Sequence, residues 1–105
     1  MDELLAWLEH QNGGLRTYIE FQQRAARLAS EQSEYAAFFQ LLSALSGRFA
    51  SSYDGMPLPV DVANKTLLQL INLAKAAACT MTLPPEEQLR LLNKIAQTDL
   101  GSSTG

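Results

Sequence analysis

A single cysteine, Cys79, stands in a chain of 105 residues, so no intrachain disulfide can form and the fold must rest on packing. Histidine is equally scarce, with His10 alone. One Cys and one His cannot compose a zinc site. The carboxylate pairs Glu31/Glu34 and Glu86/Glu87 lack the Glu-x-x-His partner of a helical di-iron site. No metal and no cofactor are expected. Gly13-Gly14 has no strand before it and no Gly-Lys-Ser/Thr after it, so it is not a phosphate-binding loop. Uninterrupted apolar runs fall far short of the ~20 residues of a membrane span. Asp2, Glu3 and Glu9 occupy the region where a secretory signal needs basic residues. These absences favour a cytoplasmic protein with no membrane association. Bases are in deficit, with Lys+Arg 8 against Asp+Glu 11 and a net charge of −3. Nucleic-acid binders need cations to release counterions from phosphate. A helix–turn–helix drawn through Leu67 to Leu100 offers only Arg90 and Lys94 on its last helix, against Glu86, Glu87 and Asp99. No nucleic-acid partner is expected.

Hydrophobic residues make up 47% and charged residues 18%, the balance of a folded globular chain rather than a disordered one. The length fits one domain, residues 1–100, followed by a small polar tail, 101–105, expected to be disordered. The acidity is localised. Residues 1–34 hold six acids and three bases, while residues 35–105 hold five of each.

Between Leu15 and Ser46 there is neither glycine nor proline. Through this stretch runs a ladder of three- and four-residue spacings. One register is Tyr18, Ala25, Gln32, Phe39 and Ser46; the other is Phe21, Leu28, Tyr35, Leu42 and Phe49. Both fall on one stripe of a helix. Arg16, Glu20 and Arg24, and then Arg27 and Glu31, sit four apart as exposed ion pairs do. The central segment, about Leu15 to Ser51, reads either as one helix or as two joined by a kink near Ser30–Ser33. A single helix would be roughly 50 Å long and would need a second copy to cover it. Ordinary helix lengths favour the break, with Ser30 or Ser33 as caps.

Around this segment, Asp2 is expected to cap a short helix to Gln11, with Leu4, Leu5, Trp7 and Leu8 as its apolar patch. Asn12-Gly13-Gly14 stops it. Tyr53 to Pro59 is a loop, with Asp54-Gly55 as a turn pair and two prolines. Asp61 is expected to cap a helix from Val62 to Thr80 that buries Ala63, Leu67, Leu70, Ile71, Ala74, Ala77, Ala78 and Met81. A last helix runs from Pro85 to Asp99, with Glu86 and Glu87 at the positive end of its dipole and Leu89, Leu92, Ile95 and Ala96 inward. The fold class is therefore all-α, an antiparallel bundle of four or five helices.

Nothing in this pattern assembles a catalytic site. His10 lies at a helix end with no nucleophile placed beside it, and Cys79 sits among alanines, where a thiol behaves as a small buried hydrophobe. The chain is expected not to be an enzyme. The aromatic residues remain as the signal for a contact surface. Phe38 and Phe39 are adjacent and point about 100° apart, so one of them is expected to reach an interface. Candidate interface residues are Tyr18, Phe21, Tyr35, Phe38, Phe39 and Phe49 on the ladder, with Met56 and Leu58 in the loop. The expected function is a protein–protein interaction or regulatory module that forms a homodimer through the aromatic stripe or binds an unidentified protein. Two alternatives are a small-molecule sensor with a pocket between helices, and an antitoxin- or immunity-type inhibitor of a basic protein.

Overall fold

A computed structural model describes residues 1–100. The expected tail, 101–105, lies outside the described residues. Five α-helices succeed one another: α1 Asp2–Glu9, α2 Leu15–Glu31, α3 Ala36–Ser52, α4 Val60–Thr80 and α5 Pro85–Ala96, with a single 3₁₀ turn at Ser33–Tyr35. No strand occurs among the described residues, and the all-α bundle expected from the sequence is the architecture found. The main helix pairings close into a ring, α1–α2–α3–α5–α4, in which each helix packs on two others. The α2–α3 pairing is the most extensive.

The central segment is two helices. Gln32 leaves helical geometry at φ −119°, ψ 75°. Neither Ser30 nor Ser33 caps α3. Ser30 Oγ instead donates back to the Arg27 carbonyl at 2.8 Å, a local bond that competes with continuing the helix. The break also separates Glu31 from Glu34, so the two carboxylates do not share a helix face. With α2 and α3 folded side by side, the molecule is 40 Å in its longest dimension. The premise that a long helix needs a second copy to cover it therefore falls away.

The inner faces of the ring supply the core. Leu8, Tyr18, Phe21, Ala25, Phe39, Leu42, Leu70, Ala74 and Ala77 have no exposed surface. At about 25 cal/mol per Å² of buried apolar area, these side chains dominate the stability of the fold. Ser46 and Ser43 let α2 and α3 approach closely, since Ser46 Oγ donates to the Tyr18 carbonyl at 2.7 Å and Ser43 Oγ to the Gln22 carbonyl at 2.9 Å.

Several boundaries and phases differ from the sequence reading. Met1, not Asp2, occupies the cap of α1, and α1 ends at Glu9. Gly13, at φ +79°, makes the turn into α2 rather than the stop of α1, and its α-carbon faces the Ala63 carbonyl. Pro59, not Asp61, precedes α4, because its fixed φ already suits the entry to a helix. The inner face of α4 includes Thr66 and Leu73, while Leu67, Ile71, Ala78 and Met81 are half-buried. The α5 helix is rotated from the expected phase. Ile95 is buried with Leu91 and Leu92 beside it, whereas Leu89 is 58% exposed and Ala96 faces outward. It also stops at Ala96.

Candidate interaction surface

Five of the eight candidate interface residues lie in the core of the single chain. Tyr18, Phe21, Phe38, Phe39 and Phe49 are all at most 4% exposed, and Tyr35 is half-buried. Phe38 and Phe39 are both buried because α3 packs against α2 on one side and α5 on the other. Two adjacent directions on this helix therefore face protein. The ring of Tyr18 meets Phe49 edge-on at 4.7 Å, and Phe49 meets Tyr53 at 5.2 Å. The Tyr18 hydroxyl donates to the Ala63 carbonyl at 3.1 Å. Burial pushes its phenol above the ordinary value. The aromatic ladder is thus spent on intrachain packing and leaves little surface for a second molecule.

The two loop candidates remain at the surface: Met56 is 54% exposed and Leu58 half-buried. They sit at one end of the bundle, where α2 begins, α3 ends and α4 begins. Tyr53–Met56 is closed by a Met56 N–H to Tyr53 carbonyl bond of 3.0 Å, and Asp54 borders an open groove of about 180 Å³ with Leu15, Ile19, Gly47, Ala50 and Ser51. The Tyr18–Ala63 bond ties the start of α2 to the first turn of α4, where Val60 projects at 75% exposure. Ile19 is 42% exposed in the groove wall. Ile19, Met56 and Val60 thus gather at this end, half of the large hydrophobic side chains left exposed among the described residues. The sequence reading missed Ile19 and Val60. Ile19 is one residue off the ladder, and Val60 directly follows the second loop proline, so each carried a positional signal that periodicity alone does not weigh.

The other three exposed large hydrophobic side chains, Leu68, Leu83 and Leu89, are spread over α4, the turn after it and α5. A second groove, of about 190 Å³, lies between α1 and α2 and is lined by Glu3, Leu4, Arg24, Arg27, Leu28 and Glu31. Arg24 stacks over the Trp7 ring at 4.5 Å and pairs with Glu20 at 3.1 Å. His10 is exposed, with Nδ1 2.7 Å from the Ala6 carbonyl oxygen. Cys79, expected among buried alanines, is exposed on the outer face of α4. Among the described residues, no three His, Cys, Asp or Glu side chains converge as metal ligands, and no helix is long and apolar enough to cross a membrane. Comparison of the chain with protein-family models, curated proteins and solved structures finds no match.

Proposed function

We propose that the chain is a non-enzymatic protein–protein interaction module whose contact surface is the end of the bundle bearing Ile19, Met56 and Val60. The supporting observation is that these exposed apolar side chains belong to the end where α2 begins, α3 ends and α4 begins, with Ile19 lining its groove, while most of the aromatic ladder is internal. Apolar anchors on a rigid platform are what protein contacts use, and the Pro57 and Pro59 backbone limits the entropy lost on binding. Site-specific photocrosslinking tests this. A benzophenone side chain at position 56 or 60 is expected to give one discrete adduct in cells, absent when the probe replaces Lys75 on the outer face of α4. The adduct should disappear when Ile19→Asp is added. Adducts of equal yield from all three positions, or none from 56 and 60, would overturn the assignment.

A further inference from the structure

The groove between α2 and α3 has an apolar wall, a narrow floor and charge of one sign. Leu15 and Ile19 of α2 form the wall. Gly47, Ala50 and Ser51 of α3 face them with little side-chain bulk. Glycine inside a helix is less favourable than alanine. At Gly47 a β-carbon would lie 2.5 Å from Gln22 Nε2, so the glycine lets the Gln22 carboxamide lie across α3 and line the groove. The volume of about 180 Å³ is below the ~300 Å³ at which small-molecule sites begin, and suits one long side chain.

Asp54 stands just beyond the end of α3 and is the one charged residue that lines this groove. It is exposed and joins no ion pair among the described residues. The C-terminal end of α3 adds the partial negative charge of its helix dipole, and its last turn carries no base to offset it. Arg48 of the same helix lines a different groove, beside Asp99. Arg16 of α2 does not line this one.

We propose that the groove receives an arginine side chain of the partner protein, with its stem along Leu15 and Ile19 and its guanidinium against Asp54 and the C-terminal end of α3. This rests on the reading of the Ile19, Met56 and Val60 end as the contact surface, and it narrows the partner to one that sets a base beside apolar residues. Charge complementarity selects the occupant: a neutral or acidic side chain would leave the Asp54 carboxylate uncompensated in the contact. The long stem of arginine covers apolar surface while its head stays polar. Its planar fork pairs with a carboxylate through two bonds and leaves water more readily than an ammonium does.

The isotope-labelled full chain is titrated at low salt with Nα-acetyl-L-arginine methylamide, and separately with the citrulline analogue, which keeps the shape without the charge. Saturable amide shifts at Ile19, Gly47 and Ala50 are expected in the tens of millimolar, with binding of the citrulline probe at least about tenfold weaker. Asp54→Asn should abolish them while keeping the turn, which asparagine also supports. Shifts that fail to saturate, lie elsewhere, or persist with citrulline or in Asp54→Asn would overturn the anchor. The anchor and the contact end fail separately. In the photocrosslinking experiment, Asp54→Arg should abolish the adduct from position 60, and an Arg→Asp change at the crosslinked site of the partner should restore it. An adduct of unchanged yield in Asp54→Arg would overturn the anchor and leave the contact end standing. No adduct from the otherwise wild-type chain would overturn both.

Discussion

Replacing Tyr18 by phenylalanine tests how the buried phenol contributes to stability. The hydroxyl donates to the Ala63 carbonyl, and the ring is fully buried against Phe49. Phenylalanine keeps the ring and its aromatic contact. The Ala63 carbonyl lies in the first turn of α4, where the helix itself supplies a second donor. Losing the hydroxyl therefore costs about 1 kcal/mol at pH 7, the net worth of one hydrogen bond rather than that of an orphaned group. At high pH the balance changes. Burial raises the Tyr18 phenol in the folded chain, while in the unfolded chain it titrates near its ordinary value of about 10. Below pH 10 both states keep the proton and the contribution is constant. Above it the unfolded state binds fewer protons than the folded one, so wild-type stability falls as pH rises. From pH 7 to pH 11 this loss is about 1.4 kcal/mol. The variant has no such proton, and every other side chain is common to both proteins. Urea denaturation should find Tyr18→Phe less stable by about 1 kcal/mol at pH 7 and equal to or slightly more stable than wild type at pH 11. A deficit that stays constant between those pH values would refute the reasoning.

Thr66 is fully buried and its hydroxyl has no hydrogen-bond partner; Thr66→Val should raise stability by about 1 kcal/mol in a denaturant melt, since it removes an unsatisfied polar group and keeps the shape. Gly13→Ala forces a side chain into left-handed backbone and places a β-carbon 3.0 Å from the Ala63 carbonyl oxygen; calorimetry should show a loss of about 1–2 kcal/mol or more. In α5, Ile95→Ala should cost about 2–5 kcal/mol, and Leu89→Ala less than about 0.5 kcal/mol; reversal of that order would contradict the observed phase of the helix. Cys79 should react with a thiol reagent in the native state, without the lag that global opening imposes.

The sequence made the helices legible where one physical signal dominated. The break between α2 and α3 was visible in Ser30 and Ser33, although neither caps the next helix and Ser30 instead bonds back to the Arg27 carbonyl. The N-terminus of α5 was visible in Pro85, Glu86 and Glu87. Its phase was not, because Leu89, Leu91 and Leu92 spread apolar surface over two adjacent stripes and only the positions of α3 and α4 select between them. The same gap explains the aromatic residues. A stripe at helical spacing states that a face will be covered, not by what, and here α2 and α3 cover each other. Cys79 shows the converse: small neighbours in sequence do not locate a residue on the inner side of a helix. The contact end formed by Ile19, Met56 and Val60 joins residues from three segments, and no window along the chain contains them together.

The pairing of α2 with α3 also orders events during synthesis. Only residues 32–35 separate the two helices, so bringing them together closes a short loop at small entropic cost, and local contacts of this kind form in microseconds to milliseconds. Residues 15–52 can join soon after leaving the ribosome, whereas α5, which covers the other flank of α3, is completed only at Ala96, 44 residues after Ser52. At ~5–20 residues per second that delay is about 2–9 s. For those seconds the α3 flank is bare, making the nascent hairpin the stage at which chaperones and aggregation compete for this protein.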